Sequence, residues 1–224
     1  KTNRGDRNWQ VFIPLTNPIE MKEVPLNIDA YAIGLLLGDG GFSNYSVIFS
    51  NSEKDIVEKL NLSLGTRYEL SKHKDNDNDY SIIDKNLKNN GTFGIRNGLK
   101  QELSDVKLLG LKSNEKFIPK KYLYNSISNR TKILQGLIDT DGEVFANNVY
   151  FSTVSPQLAK DVQFLVQSLG GTCKISNRQT YYTYNGEKKP GLPSFRLSIK
   201  MPSYIKIFTS NKHNANYKKG NTNP

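Results

Sequence analysis

Cysteine and histidine are nearly absent: Cys173 is the only cysteine, and His73 and His213 the only histidines, in 224 residues. One cysteine excludes an internal disulfide, and these three residues cannot supply four ligands to a structural zinc ion. Long apolar runs are missing as well. The longest, Ala32 to Leu37, falls far short of the roughly 20 residues that span a bilayer, so no membrane association is expected. The polar start, Lys1 to Asp6, leads into no apolar stretch of the signal-peptide kind, which points to an intracellular protein. It also lacks Met, and reads as the start of an excised or trimmed piece. Acidic residues are in deficit, 21 against 31 Lys and Arg, for a net charge of +10. That excess favours polyanionic partners. Apolar residues are 36 % and charged residues 23 %, enough for a packed core and against a fully disordered chain.

Residues 1–28 hold Pro14, Pro18 and Pro25 around short apolar stretches, the pattern of an extended arm or linker. A helical pattern begins at Asp29 and stops at Gly40. Val47-Ile48-Phe49 reads as a strand and Ser52 to Leu64 as an amphipathic helix with Ile56, Val57, Leu60 and Leu64 inward. Residues 71–91 suggest an exposed hairpin or loop around Tyr80 to Ile83, followed by a short strand at Thr92 to Ile95 and a helix from Leu99 to Leu109. The second half repeats the plan: a helix at Asn129 to Ile138, a strand at Asn148 to Ser152, and a helix at Ser155 to Leu169 with Ser155 as N-cap and Pro156 at the first turn. Strands then fit Thr172 to Ser176, Thr180 to Tyr184 and Ser194 to Ile199, and a last helix is expected near Pro202. A constant offset of 102 residues lays Gly34, Asp39, Gly40 and Ser46 to Ser50 over Gly136, Asp141, Gly142 and Asn148 to Ser152. The chain reads as two copies of one unit.

Two segments carry the chemistry: AIGLLLGDG at 32–40 and LQGLIDTDG at 134–142. Glycine after the last helical turn reads as a stop in left-handed backbone conformation. The aspartate before it is anomalous, because a helix C-terminus carries partial negative charge. Asp39 and Asp141 at matching points of a repeat call for a cation. Gly34 and Gly38 share one helix face, as do Gly136 and Thr140. A helix-interior Gly costs roughly 1 kcal/mol against Ala, a cost offset where two helix backbones approach closely. Packing these faces together brings the two aspartates near each other, where they repel unless a cation or proton sits between them. Oxygen ligands suit a hard divalent ion such as Mg²⁺, and carboxylate-bound metal suits phosphodiester hydrolysis.

The paired segments resemble the motifs of LAGLIDADG homing endonucleases, in particular the form found inside inteins, and Lys116-Phe-Ile-Pro119 resembles the Lys-x-Ile-Pro block between the two motifs. The resemblance implies an α/β (α+β) fold: two pseudo-symmetric αββαββα repeats, here 29–128 and 129–224 after an arm at 1–28 that reads as a junction remnant. Their antiparallel sheets would form a saddle over a long site in double-stranded DNA. It implies a monomeric, Mg²⁺-dependent endodeoxyribonuclease, with Mn²⁺ or Ca²⁺ as alternative occupants, that leaves short 3′ overhangs. Such a protein works in the cytoplasm or wherever genomic DNA lies. By motif position Asp39 and Asp141 are the metal ligands, Lys116 assists water activation or stabilises charge, and Lys212, or failing it Lys206, is the partner lysine. Asp139 has Leu37 as its counterpart and is assigned a hydrogen bond near the helix interface. His73 and His213 read as surface residues and Cys173 as a packing residue. Polar positions on strand faces are the candidates for DNA contact: Asn44, Ser46, Ser50, Tyr80, Thr92 and Arg96 in the first repeat, and Lys174, Ser176, Arg178, Thr180, Arg196, Ser198 and Lys200 in the second. The alternative is a catalytically silent member of the family, a maturase or regulator. A start without Cys or Ser and the end Gly-Asn-Thr-Asn-Pro, not His-Asn, suggest that the splicing half is either absent or trimmed off.

Overall fold

The computed structural model describes residue 14 and residues 16–42, 46–87, 98–145 and 148–217. Helix α1 (Ala30–Asp39) is capped by Asp29, whose carboxylate accepts from Tyr31 N at 2.8 Å. Ala30 to Leu37 are all buried, so this helix lies in the core rather than on it. Strands β1 (Gly40–Phe42) and β2 (Val47–Ser50), helix α2 (Lys54–Ser63), strands β3 (Tyr68–Lys72) and β4 (Asp79–Asp84) and helix α3 (Gly98–Asp105) follow. A short α4 (Lys120–Leu123) leads to α5 (Ile127–Asp141), β5 (Gly142–Phe145), β6 (Asn148–Thr153), α6 (Pro156–Ser168), β7 (Thr172–Tyr184), β8 (Glu187–Lys200) and α7 (Asn211–Asn216). The order αββαββα therefore occurs twice, and each half forms a four-stranded antiparallel sheet with the same strand order, β1-β2-β4-β3 and β5-β6-β8-β7. The fold is mixed α/β.

The offset of 102 holds at the level of pairing. Gly40 opposes Phe49 and Phe42 opposes Val47 in the first sheet; Gly142 opposes Phe151 and Val144 opposes Val149 in the second. Alternation then sends Phe49, Val47 and Phe42 inward in one sheet and Phe151, Val149 and Val144 inward in the other, all buried. Helices α1 and α5 cross at Gly34 and Gly136. A Cβ on Gly34 would lie 2.9 Å from Gly136 Cα, and one on Gly136 would lie 2.6 Å from Leu35 N. One turn further on, a Cβ on Gly38 would lie 2.7 Å from Thr140 Cβ, while the Thr140 hydroxyl turns back onto the Gly136 and Leu137 carbonyls at 3.0 and 3.1 Å.

Several local expectations change. Gly40 and Gly142 are extended (φ −86° and −84°), not left-handed. They are required for space instead: a Cβ would meet Leu36 Cα at 2.9 Å and Ile138 Cα at 2.8 Å. No helix begins near Pro202; residues 201–210 run without regular structure and α7 starts at Asn211. Strands β7 and β8 are continuous where breaks at 177–179 and 185–193 were expected, because Asn185 and Gly186 (φ 49° and 80°) form a tight two-residue hairpin turn. The arm before α1 is no loose linker. Ile19 N donates to Ser168 O at 2.9 Å, the fully buried Arg130 guanidinium donates to Ile19 O, and Asn125 exchanges hydrogen bonds with both Val24 N and Val24 O. The strand expected at Thr92 to Ile95 lies outside the described residues.

Candidate active site

Because α1 and α5 meet through glycine, their C-termini end side by side, and Asp39 and Asp141 come with them. The Asp141 carboxylate opens to solvent on one side, with packed protein around the rest. That desolvation, together with the Asp39 charge beside it, pushes its pKa up to about 6 against the opposing Lys116 ammonium. Burial also raises Asp39, while a hydrogen bond from Asn51 Nδ2 to Asp39 Oδ2 at 2.7 Å and the Lys116 charge hold it down. Asn51 was not foreseen. It follows β2 at the point where the chain turns into α2, and no residue pattern distinguishes it among 25 asparagines.

Lys116 is buried beneath the end of α1. Its Nζ donates to the carbonyls of Leu37 (2.8 Å), Gly38 (3.2 Å) and Gly40 (2.8 Å) and lies 5.0 Å from the Phe42 ring centroid. Burial lowers its pKa to about 8, opposed by the charges of Asp141 first and Asp39 second. The surrounding segment is pinned to the second repeat, where Ser155 Oγ donates to Lys116 O at 2.6 Å and Ile118 N donates to Asp161 Oδ2 at 2.8 Å. Lys116 thus neutralises the exposed carbonyls of α1 as well as facing both aspartates, a structural task that the sequence reading did not assign to it.

A cleft of about 230 Å³ opens beside Asp39, lined also by Ser50, Asn51, Glu53, Asp139, Lys212 and His213. Lys212 reaches Glu53 at 3.5 Å across its mouth. Lys206 is exposed and is not among the residues lining this cleft; its carbonyl accepts from Gln135 Nε2 at 2.7 Å. Asp139 organises the wall. Its carboxylate accepts from Tyr31 OH (2.8 Å), Thr209 N (2.8 Å), Thr209 Oγ1 (2.6 Å) and Ser210 N (2.9 Å). Asp55 and Lys59 of α2 hold the same segment, through Asn211 N (2.9 Å) and Thr209 O (2.8 Å). Drawn in this way, His213 is buried rather than on the surface, with Nε2 2.9 Å from Ile138 O, and desolvation lowers its pKa. His73 lies 2.7 Å from Ser81 Oγ. Cys173 is half-buried against the core, which pushes its thiol up to about 11.

The outer face of the second sheet carries Lys174, Ser176, Arg178, Arg196, Ser198 and Lys200, as alternation requires. Arg196 is held by Glu143 at 2.8 Å and stacks 4.2 Å over Tyr150, and Ser176 Oγ donates to Arg196 O. Thr180 leaves this row: a register irregularity between Gln179 and Tyr181 turns its hydroxyl onto Leu192 O at 2.6 Å. In the first sheet Ser46 and Ser50 fall on the outward row with Ile48. Tyr80 does not. It pairs with Phe49 and precedes the buried Ile82 by two residues, so it lies on the core row, and Ser81 faces outward in its place. Asn44, Thr92 and Arg96 lie outside the described residues.

Among the described residues no cluster of three or more His, Cys, Asp or Glu side chains is placed to hold a metal ion. The oxygen-only pair Asp39 and Asp141, charge-repelled and half desolvated, fits a hard divalent cation that keeps most of its shell as water.

Residues 128–214 match the family model of a LAGLIDADG-like domain. The resemblance read from the two motifs therefore holds over the second repeat, and the first repeats its element order and strand register. The chain is similar to the ATP-dependent DNA helicase Hel308 of Thermococcus kodakarensis, 32 % identical over 195 residues that make up 82 % of this chain and 16 % of the helicase. It is also similar to the replicative DNA helicase DnaB of Mycobacterium intracellulare, 41 % identical over 75 residues, 33 % of this chain and 13 % of that protein. The chain thus spans only a small part of the curated relatives it matches. Solved structures of the homing endonuclease I-DmoI are also similar. The complex with DNA and Ca has a TM-score of 0.46 at 12 % identity, covering 76 % of this chain and 81 % of that one. A variant with its target DNA and Mn has a TM-score of 0.47 at 14 % identity, covering 76 % and 85 %. Among the described residues no helix is long and apolar enough to cross a membrane.

Proposed function

We propose that the chain is a site-specific, double-strand DNA endonuclease of the homing type, acting as a monomer whose two repeats, 29–128 and 129–224, each supply half of the site. The observation that carries this reading is the delivery of Asp39 and Asp141 to adjacent helix C-termini, where a carboxylate pair is unfavourable without a cation. Asp39 and Asp141 would hold the divalent ions, whose chemistry is to activate water and stabilise the leaving oxygen of the phosphodiester. Lys116 stabilises negative charge beside Asp141. Lys212 is placed to do the same in the cleft of Asp39. The outward rows of the two sheets form the DNA saddle, with Arg196 pre-positioned by Glu143 and Tyr150. A LAGLIDADG-like module that matches small parts of two unlike helicases supports the view that it resides within a longer host protein, as an intein endonuclease does.

The test is incubation of the chain with a library of duplex cleavage sites in Mg²⁺, followed by sequencing of cut ends. Double-strand cuts with short 3′ overhangs at one long site are expected, and binding should weaken steeply with salt, by several units of log K per log salt. Tight binding with no cut in Mg²⁺ or Mn²⁺ would favour the silent family member; salt-insensitive binding would count against a saddle that tracks phosphates.

A further inference from the structure

The offset of 102 residues also relates two sets of side chains outside the motifs. Glu53, Asp55 and Lys59 of α2 occupy the same places as Ser155, Gln157 and Asp161 of α6, with Glu53 and Ser155 at the N-caps. In both helices the second and third of these residues, four apart, are joined. Lys59 Nζ donates to Asp55 Oδ2 at 3.3 Å, and Gln157 Nε2 donates to Asp161 Oδ1 at 2.8 Å. The residue types differ, base in one helix against acid in the other, so the correspondence is one of place and not of identity.

What each set holds is a main-chain segment of the other repeat. From α6, Ser155 Oγ donates to Lys116 O at 2.6 Å and Asp161 Oδ2 accepts from Ile118 N at 2.8 Å. From α2, Lys59 Nζ donates to Thr209 O at 2.8 Å and Asp55 Oδ2 accepts from Asn211 N at 2.9 Å. Each grip takes the carbonyl of one residue and the N–H of the residue two further on. Lys116 opens one gripped segment. Lys212 directly follows the other, and Glu53 meets its ammonium at 3.5 Å. The shared pattern makes Lys212, not Lys206, the counterpart of Lys116.

Stability alone does not require this crossing. Asp139 already fastens Thr209 and Ser210 from within their own repeat. The second fastening sets the segment against the opposite repeat, and that is where its lysine works: Lys212 beside Asp39, Lys116 beside Asp141. We propose that α2 and α6 are crossed clamps, each holding the lysine segment of the other repeat against the aspartate of its own. Asp55 and Lys59 are positioning residues for Lys212, and Ser155 and Asp161 for Lys116. Neither half-site is complete within one repeat. This rests on the endonuclease reading above and goes beyond it. A reacting group displaced by about 1 Å loses on the order of 100-fold in rate, while the outward sheet rows stay in place. Loss of a clamp therefore slows one strand's cut and leaves DNA affinity intact.

The test uses the full chain, Lys59→Met, Lys59→Arg, Ser155→Ala and Ser155→Thr, with Lys212→Met and Lys116→Met as references. Single-turnover cleavage in Mg²⁺ is read strand by strand on a duplex that the full chain selects and cuts from a random pool. Lys59→Met should slow one strand about tenfold or more, the strand that Lys212→Met slows, with unchanged duplex affinity. Lys59→Arg, which keeps a donor for Thr209 O, should restore that cut. Ser155→Ala should slow the other strand, the one that Lys116→Met slows, and Ser155→Thr should restore it. Amide exchange in the metal-free chain is the second readout: Lys59→Met should speed it at Asn211 and not at Ile118, and Ser155→Ala the reverse. Ser155 also caps α6, so if Ser155→Ala does not fold, the Lys59 pair decides alone. The inference is overturned, while the endonuclease reading stands, if Lys59→Met slows both strands alike, slows neither, or leaves exchange at Asn211 unchanged. Lysine references that slow the same strand overturn it too. A full chain that cuts no duplex would overturn both.

Discussion

Lys116 Nζ lies 2.8 Å from the carbonyl oxygen of Gly40, and the same ammonium holds the carbonyls of Leu37 and Gly38. A cation under a helix C-terminus offsets the partial negative charge there. That is what lets α1 end in an aspartate. Lys116→Met should therefore do two things: slow cleavage, and destabilise the fold by about 1–3 kcal/mol through three carbonyls left without their donor. Thermal melting and single-turnover cleavage together check this. Full stability with lost cleavage would assign Lys116 a purely catalytic task; unchanged cleavage would leave it a purely structural one.

Asp39→Asn and Asp141→Asn keep side-chain size and remove a negative charge from a helix C-terminus. Neither should lower the melting temperature of the metal-free protein, and Asp141→Asn should raise it, since it removes the desolvated charge and, secondarily, the Asp39 repulsion that together raise the Asp141 pKa. Each should lose double-strand cleavage and keep DNA affinity. A variant that cuts both strands at full rate would show that the active site has been misplaced.

The elevated Asp141 pKa has a sign in pH. The folded state holds this proton up to about pH 6, whereas the unfolded chain releases it near the ordinary carboxylate value. The group's contribution to stability is thus fully present below about pH 4 and is lost as pH rises through about 6. Lys116 adds a second trend: with its folded pKa lowered to about 8, stability rises between there and the ordinary lysine value. Melting curves for the chain and for Asp141→Asn should differ most above about pH 6 and converge near pH 4. Addition of Mg²⁺ at about pH 8 should stabilise the parent chain more than the variant. A constant difference across pH would contradict the assignment.

Gly34→Ala and Gly136→Ala test the helix contact at its tightest point. Each new Cβ meets main-chain atoms of the opposite helix inside 3 Å, and main chain cannot rotate aside. A loss of roughly 1–3 kcal/mol or more is expected, read as a drop in denaturation midpoint. Gly41→Ala, whose Cβ would meet only Ile48 O at 3.8 Å, is the control and should be tolerated.

Asp139→Asn should release residues 209–211. The carboxylate accepts four hydrogen bonds from donors, and an amide oxygen cannot serve them all. A cost of about 1–3 kcal/mol is expected, with faster hydrogen exchange at Thr209 and Ser210 amides. Unchanged exchange there would mean that Asp55 and Lys59 suffice to hold the segment.

Periodicity and spacing alone determined the duplication, its offset of 102 residues, the identity of the motif helices and the glycine faces on which they meet. These are local patterns, and they translate directly because a helix face repeats every 3.6 residues and a strand face every two. Tertiary structure decided the rest. Asn51 reaches Asp39 only because β2 turns into α2 beside the end of α1. His213 is buried only because Asp139, Asp55 and Lys59 pull residues 209–211 inward from two different helices. Tyr80 faces the core because pairing with Phe49 sets its parity, and a one-residue choice of register reverses every side chain in a strand. The long hairpin of β7 and β8 was within reach of the sequence, since Asn185-Gly186 is a strong hairpin signal, but Pro190 and Pro193 read as breaks. Their place on a strand edge, with no neighbour requiring an N–H, is what makes them tolerable there. Lys116 is the remaining case: its sequence position marked it, but only the fold could show that its ammonium sits among the last carbonyls of a helix 78 and 79 residues away.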